Sequence, residues 1–330
     1  MTHSKHLNII VLMGGDSPER EVSLATGQAV AEALSLVGHH VEARTLAAVQ
    51  DVLSMTDLSA ADVVFPAFHG GAGEDGRLQS VLDLMGVTYA LSGPIASGLA
   101  MDKAACKRLM RGAGISTPDW LHISGDQCSG ERIMGSQAKV RDQLDLTVLA
   151  ARAGAELGWP LIAKPNRDGS SVGIRIIENE TKFPEAWQDV AAQGQSVLLE
   201  KFIPGRELTA TIFLGRRLPL IEIEPHEGYY DFANKYTEGA CDYLCPAPVH
   251  SPIYERISDD AQRLFDLIGC RGVARVDFRL DGDTYSCLEI NTIPGMTALS
   301  LVPKAAAAVG ISFPDLLSDL CYDAVCRSQS

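Results

Sequence analysis

Short apolar, branched runs alternate with helix-length segments through the first hundred residues, and that order leaves few architectures open. Leu7-Asn8-Ile9-Ile10-Val11-Leu12-Met13 reads as a buried strand. Gly14-Gly15 ends it, and Ser17-Pro18 is an N-cap followed by proline in the first helical turn. A helix is predicted over Val22 to Leu36. Strands follow near His40 to Arg44 and at Val63 to Phe68, then a helix over Gly76 to Met85 and a strand at Val87 to Leu91. Parallel strands need crossover connections, so a β-α-β-α order implies a mostly parallel sheet with helices on its faces.

The pattern then changes. A helix is predicted from Met101 to Gly112, an extended stretch from Ile115 to Ile123, a polar loop from Ser124 to Ser136, and a helix from Thr147 to Leu157. Strands dominate afterwards: Pro160 to Pro165, Gly173 to Ile177, Val197 to Phe202, Glu207 to Leu214 and Leu218 to Glu224. A helix over Asp259 to Ile268 precedes a hairpin from Val273 to Ile290. The expected class is therefore α/β at the N-terminus and α+β beyond it. The 330 residues correspond to about two or three domains by length alone.

The net charge of −14 argues against a nucleic-acid or anionic-membrane binder, because phosphates need a positive face. The apolar runs are strand-sized and far short of a membrane span. Met1 to His6 has no signal-peptide apolar core, which predicts a cytoplasmic location. No cysteine pair has CxxC spacing, as expected of reduced thiols in such a compartment.

Gly71-Ala72-Gly73-Glu74-Asp75-Gly76 matches the dinucleotide pattern G-x-G-x-x-G. Two acids would sit beside the pyrophosphate, and Tyr89 to Ala100 lacks the expected ribose-binding acid. The segment is read as a substrate-facing loop, with a nicotinamide-dependent dehydrogenase as the competing interpretation. No Walker sequence occurs. Lys164 instead precedes Gly169-Ser170-Ser171-Val172-Gly173, where small residues would let backbone N–H groups approach a phosphate. In the C-terminal hairpin, Arg275 and Asp277 share one strand face, as do Glu289 and Asn291. Three hard oxygen donors beside a phosphate suit Mg²⁺. A two-residue Asp281-Gly282 turn with regular pairing would throw Asp277 and Glu289 onto opposite faces, so a shared ion requires an odd loop or a bulge. Phe278, Leu288 and Ile290 are expected to form the core face.

Taken in order, these residues resemble the D-alanine–D-alanine ligases of the ATP-grasp superfamily. The resemblance runs from Asn8 to about Leu317. It rests on Gly14-Gly15 with Glu19-Arg20-Glu21-Val22-Ser23; His69-Gly70 with Gly73-Glu74-Asp75-Gly76; Ala100-Met101-Asp102-Lys103; Lys164-Pro165 with the Gly169 to Gly173 loop; Glu200-Lys201-Phe202; Lys235-Tyr236; Cys245-Pro246-Ala247; Glu289-Ile290-Asn291-Thr292 with Pro294-Gly295-Met296-Thr297; and Ser300-Leu301-Val302-Pro303.

The resemblance implies an ATP-grasp fold of three domains, placed at 1–95, 96–202 and 203–330, with ATP between the second and third. It implies an ADP-forming ligase that joins two D-alanines through an acylphosphate for peptidoglycan precursors, working with ATP and two Mg²⁺ (or Mn²⁺) ions as a homodimer. An ATP-grasp ligase taking D-serine, D-lactate or another amino acid as second substrate is the alternative, and a silent nucleotide-binding protein a further one. By matched position, Lys103, Lys164, Ser171 and Lys235 would meet phosphates. Glu200, Lys201 and Ile203 would lie against adenine, and Glu207 would hold the ribose. Glu19 would take the first substrate's ammonium, oriented by Ser170 and Tyr236, and His69 and Glu74 would bind substrate beside it. Arg275 and the Gly295 N–H would stabilise the oxyanion, and Ser300 and Leu301 would bind the second substrate's carboxylate. Asp277, Glu289 and Asn291 match metal ligands. Glu227 to Asp242 would form a lid.

Overall fold

The computed structural model describes residues 5–124, 132–134, 138–140, 145–167, 169, 173–192, 196–226, 239–297 and 300–329. Ser170, Ser171, Lys235 and Tyr236 lie outside these residues, as do residues 227–238 of the lid expected at Glu227 to Asp242.

The chain opens with β1 (Asn8–Gly14), α1 (Arg20–Leu36), β2 (His40–Leu46), two short 3-10 turns (Val49–Ser54 and Leu58–Ala60) and β3 (Val63–Pro66). These strands form a parallel sheet in the order β2-β1-β3. β1 is apolar from Ile9 to Met13 because both its faces are covered there. Ile9, Val11 and Met13 point into one core, and Ile10 and Leu12 into another. Each such side chain contributes roughly 1.5–3 kcal/mol on burial. The expected strand at Val87 to Leu91 is reduced to one parallel bridge, Val64 to Tyr89. Leu91 has a φ of 72°, which turns the chain out of the sheet.

The predicted helix at Gly76 to Met85 is preceded by a short one: α2 (Gly71–Glu74), then α3 (Arg77–Leu84). The G-x-G-x-x-G glycines have packing reasons. A Cβ on Gly73 would lie 2.4 Å from Phe68 Cβ, and one on Gly76 (φ +93°) 2.4 Å from the Pro94 carbonyl. Next come α4 (Pro94–Met101) and α5 (Lys103–Gly112), the latter capped by Asp102, which accepts from the Ala105 N–H at 3.0 Å.

The middle of the chain comprises β4 (Trp120–Ile123), β5 (Arg132–Met134), β6 (Ala138–Val140), α6 (Leu146–Leu157), β7 (Leu161–Pro165), β8 (Arg175–Ile177), α7 (Phe183–Ala191) and β9 (Val197–Lys201). β5 and β6 pair as a hairpin, and the others form an antiparallel sheet ordered β4-β9-β7-β8. Its core is local, running from Leu121 to Leu199 with α6 and α7 packed on one face.

The remainder is β10 (Arg206–Phe213), β11 (Arg216–Arg217), β12 (Ile221–Pro225), β13 (Cys241–Leu244), α8 (Ser251–Ile268), β14 (Val273–Asp281), β15 (Thr284–Asn291), α9 (Leu301–Ala307) and α10 (Phe313–Ser328). α8 begins eight residues before its predicted start at Asp259, with Pro252 in its first turn. The sheet order is β13-β12-β10-β14-β15, with β11 paired to β10. One face packs on α4, α5 and α8. The other end of the sheet shares a core with β1, α1, α9 and α10. The seven cysteines among the described residues are free thiols.

Candidate active site

The β14–β15 hairpin sets the geometry. Its turn has two residues, Gly282 and Asp283, since Asp281 pairs with Thr284. Regular pairing from that turn would place Leu288 opposite Asp277. A bulge inserts Leu288 instead, so Phe278 opposes Cys287 while Asp277 opposes Glu289 and Arg275 opposes Asn291. The hairpin thus has the bulge that a shared ion demands. It also overturns the expected core face: Cys287, not Leu288, is buried with Phe278 and Ile290.

On the polar face, Arg275 Nε and Nη2 donate to Asp277 Oδ1 and Oδ2 at 2.9 and 2.8 Å. Thr209 Oγ1 on β10 donates to Asp277 Oδ1 at 2.8 Å. Asn291 Oδ1 accepts from the Ile293 N–H at 2.9 Å, which fixes its amide. From the start of α5, Lys103 Nζ reaches Glu289 Oε2 at 3.3 Å. Two carboxylates and an amide on one face are hard oxygen donors, and they fit Mg²⁺ if phosphate oxygens and water complete the shell. Among the described residues no group of three or more His, Cys, Asp or Glu could hold a metal by itself.

Lys164, on β7, is buried and ion-paired with Glu200 Oε2 on β9. Lys107, one helical turn beyond Lys103, takes the other oxygen of Glu200 and donates to Thr117 Oγ1 at 2.6 Å. Burial alone would raise the Glu200 carboxyl, but the two ammoniums override it and hold it below the usual range. Burial depresses Lys107. Burial would depress Lys164 as well, but the Glu200 and Glu289 carboxylates raise it. Glu200, expected against adenine, thus has its carboxylate engaged by two lysines. Lys201 is exposed, and the Ile203 carbonyl accepts from Arg279 Nε at 3.2 Å. Glu207 Oε2 accepts from Arg279 Nη1 at 3.1 Å.

A second cluster lies at the N-terminal sheet. Glu19 is buried just before α1. Ser17 Oγ accepts from the Glu19 N–H at 3.1 Å and donates to the His69 carbonyl at 2.5 Å. His69 Nε2 meets Thr26 Oγ1 at 3.0 Å, and Nδ1 lies 3.4 Å from Glu74 Oε1. A Cβ on Gly169 would stand 2.6 Å from Glu19 Oε2 and 3.6 Å from Glu74 Oε2, so the loop after β7 reaches this cluster. One crevice is lined by Glu74, Lys103, Gly169, Glu289 and Asn291, which joins the two clusters. At its C-terminal side, Ser300 Oγ accepts from the Thr297 N–H at 3.0 Å, a Cβ on Gly295 would lie 3.0 Å from that oxygen, and Leu301 opens α9.

The fold therefore brings together Glu19, His69, Glu74, Lys103, Glu289 and Asn291, and places Lys164, Arg275 and Asp277 on the adjoining faces. Sequence reasoning missed Lys107, Thr209 and Arg279. Lys107 stands four residues after Lys103 on one helix face, and Arg279 continues the period-two series of Arg275 and Asp277, so spacing could have found both.

The family model described as D-ala D-ala ligase C-terminus matches residues 109–322, and that for the N-terminus matches 40–92. The chain is 40% identical over 319 residues to the D-alanine–D-alanine ligase of Syntrophotalea carbinolica, covering 97% of this chain and 96% of that one. It is 42% identical over 316 residues to that of Desulforudis audaxviator, covering 94% and 96%. The crystal structure of the Bacillus anthracis D-alanine–D-alanine ligase complexed with ATP superposes with a TM-score of 0.80 at 28% identity, covering 98% of this chain and 99% of that one. Two matched domains, near-complete coverage and a shared ATP-grasp architecture lead to one conclusion: the chain belongs to the D-alanine–D-alanine ligase family.

Proposed function

We propose that this protein is an ATP-dependent ligase that joins two D-alanines into D-alanyl-D-alanine, releasing ADP and phosphate, in the cytoplasm and as a homodimer, to supply peptidoglycan precursors. The observation that carries this reading is the contact of Lys103 with Glu289 at 3.3 Å, in a crevice that also holds Glu74, Gly169 and Asn291. It sets a cation, oxygen donors and a buried carboxylate cluster within one site.

A carboxylate is a poor electrophile because its leaving group would be oxide. Transfer of the γ-phosphoryl group to the first D-alanine's carboxylate gives an acylphosphate with a good leaving group. The amine of the second D-alanine then attacks that carbonyl and expels phosphate. Such chemistry needs positioning and charge neutralisation more than covalent help from the protein. Lys103 and Lys164 supply fixed positive charge toward the phosphates. Glu19, held beside His69 and Glu74, pairs with the first substrate's ammonium, since a buried cation needs a carboxylate partner. Arg275 and the Gly295 N–H stabilise the oxyanion that develops at the carbonyl. Ser300 and the Leu301 N–H, at a helix start where N–H groups lack intrahelical acceptors, receive the second carboxylate. Asp277, Glu289 and Asn291 would hold the divalent ions, which supply neutralisation of phosphate charge. Water must be excluded to spare the acylphosphate.

The test is a substrate panel of D-alanine, D-serine, D-lactate and L-alanine with ATP and Mg²⁺, read by ADP release and product mass. ADP release dependent on D-alanine with a product of dipeptide mass is expected. ATP binding without turnover on any of the four would overturn the reading.

A further inference from the structure

Strand β14 carries a third residue on its polar face. Arg275 and Asp277 serve the site already described, and Arg279 stands one repeat further, roughly 7 Å along the strand. In register it opposes Glu207 on β10. Its guanidinium makes two separate contacts, Nη1 to Glu207 Oε2 at 3.1 Å and Nε to the Ile203 carbonyl at 3.2 Å. One planar fork therefore ties a carboxylate to the main chain of the loop before β10. Both side chains are largely withdrawn from water, at 14% and 16% exposure, so the contact is less screened than a surface pair. They line a cavity of about 420 Å³ with Phe202, Pro204, Ile223 and Glu224. That volume is in the range of small-ligand pockets. The cavity sits at one end of the same strand face whose other end holds Asp277 and Arg275.

We propose that Arg279 is a positioning residue for the nucleotide's sugar: anchored on the Ile203 carbonyl, it holds Glu207 where its carboxylate accepts hydrogen bonds from the ribose hydroxyls. This rests on the ATP-ligase reading above. A glutamate side chain has several rotatable bonds, and a bond to an ionised donor fixes one of its oxygens. A carboxylate has about four acceptor sites and this contact uses one, so it is compatible with hydroxyl donors. An arginine that merely braced the sheet would affect every nucleotide alike. One that positions Glu207 matters only when the sugar has hydroxyls to donate.

The experiment is calorimetric titration of the full-length protein with Mg-ATP and Mg-2′,3′-dideoxy-ATP, with steady-state kinetics alongside. Arg279→Met should weaken ATP about tenfold, the scale of one charge-assisted bond, and shift dideoxy-ATP by less than about twofold. Arg279→Lys keeps the charge but not the fork, and should recover part of the loss. The KM for D-alanine at saturating ATP should move by less than about twofold, because the cavity and the crevice that joins the two clusters share no lining residue. Equal weakening of both nucleotides, or of neither, overturns the proposal. If Arg279→Met does not fold, Arg279→Lys decides alone: a smaller loss confined to ATP supports the role, and an unselective or absent one overturns it. A wild type that binds ATP yet releases no ADP with D-alanine would defeat the ligase reading while the titrations still judge Arg279. A wild type that binds no ATP defeats both.

Discussion

Glu200 shows what one buried residue can organise. Its oxygens hold Lys107 and Lys164, and all three side chains are almost wholly withdrawn from water. The triad carries a net positive charge, and Lys164 is one of the lysines assigned to phosphate. Glu200→Gln would leave two ammoniums facing a neutral amide. We expect a loss of about 3–5 kcal/mol in urea unfolding, because unpaired buried charge is strongly destabilising. Because the folded state holds this carboxyl below its ordinary value, its contribution is complete above the unfolded value near ~4.3 and is lost as pH falls through the lower folded value. The variant should therefore start from a lower plateau but lose stability less steeply on acidification, a difference readable in unfolding curves from neutral pH to pH 3. The Glu-Lys-Phe run was marked by the family resemblance. The partner Lys107 was not, because nothing in the chain says that residue 107 and residue 200 will meet.

At the scale of elements, the hairpin and the glycine-rich helix pair have opposite lessons. Period-two spacing exposed the pairs Arg275/Asp277 and Glu289/Asn291, but each strand's spacing is blind to its partner's register. The bulge at Leu288 decided that Asp277 and Glu289 face one another, and it exchanged Leu288 for Cys287 in the core. In α2–α3 the glycines matched a cofactor pattern, yet their reason is contact. Gly76 has a positive φ and its would-be Cβ meets a backbone carbonyl that cannot swing aside. Gly76→Ala should destabilise the protein by more than about 2 kcal/mol in chemical denaturation, through strain and clash together. A change within about 0.5 kcal/mol would mean that α3 and α4 separate more easily than their packing implies.

For the whole molecule, the cores join segments that lie far apart in the chain. The core on one face of the parallel sheet includes Leu301, Val302, Leu316, Leu317 and Leu320, more than two hundred residues away in sequence. α4 and α5 pack with the C-terminal sheet, in the same core as α8. The middle sheet closes its own core between Leu121 and Leu199. We propose that residues 117–202 are the unit able to fold alone and that 1–95 are not. Expressed separately, 1–95 should lack native circular dichroism and dispersed amide resonances, since α9 and α10 no longer cover Ile9, Val11 and Phe65. A cooperative melt for 1–95 would contradict this.

The sequence by itself determined the parallel N-terminal sheet and the strand-rich remainder, because hydrophobic period, capping and turn signals act between near neighbours in the chain, while most of the candidate site residues came from the family resemblance. Only the tertiary structure decided the Asp277–Glu289 pairing, the Lys107–Glu200–Lys164 triad, the Arg279–Glu207 contact and the core shared by the two ends. Each depends on which of many chemically equivalent partners comes within a few ångströms, and packing of the whole chain makes that choice.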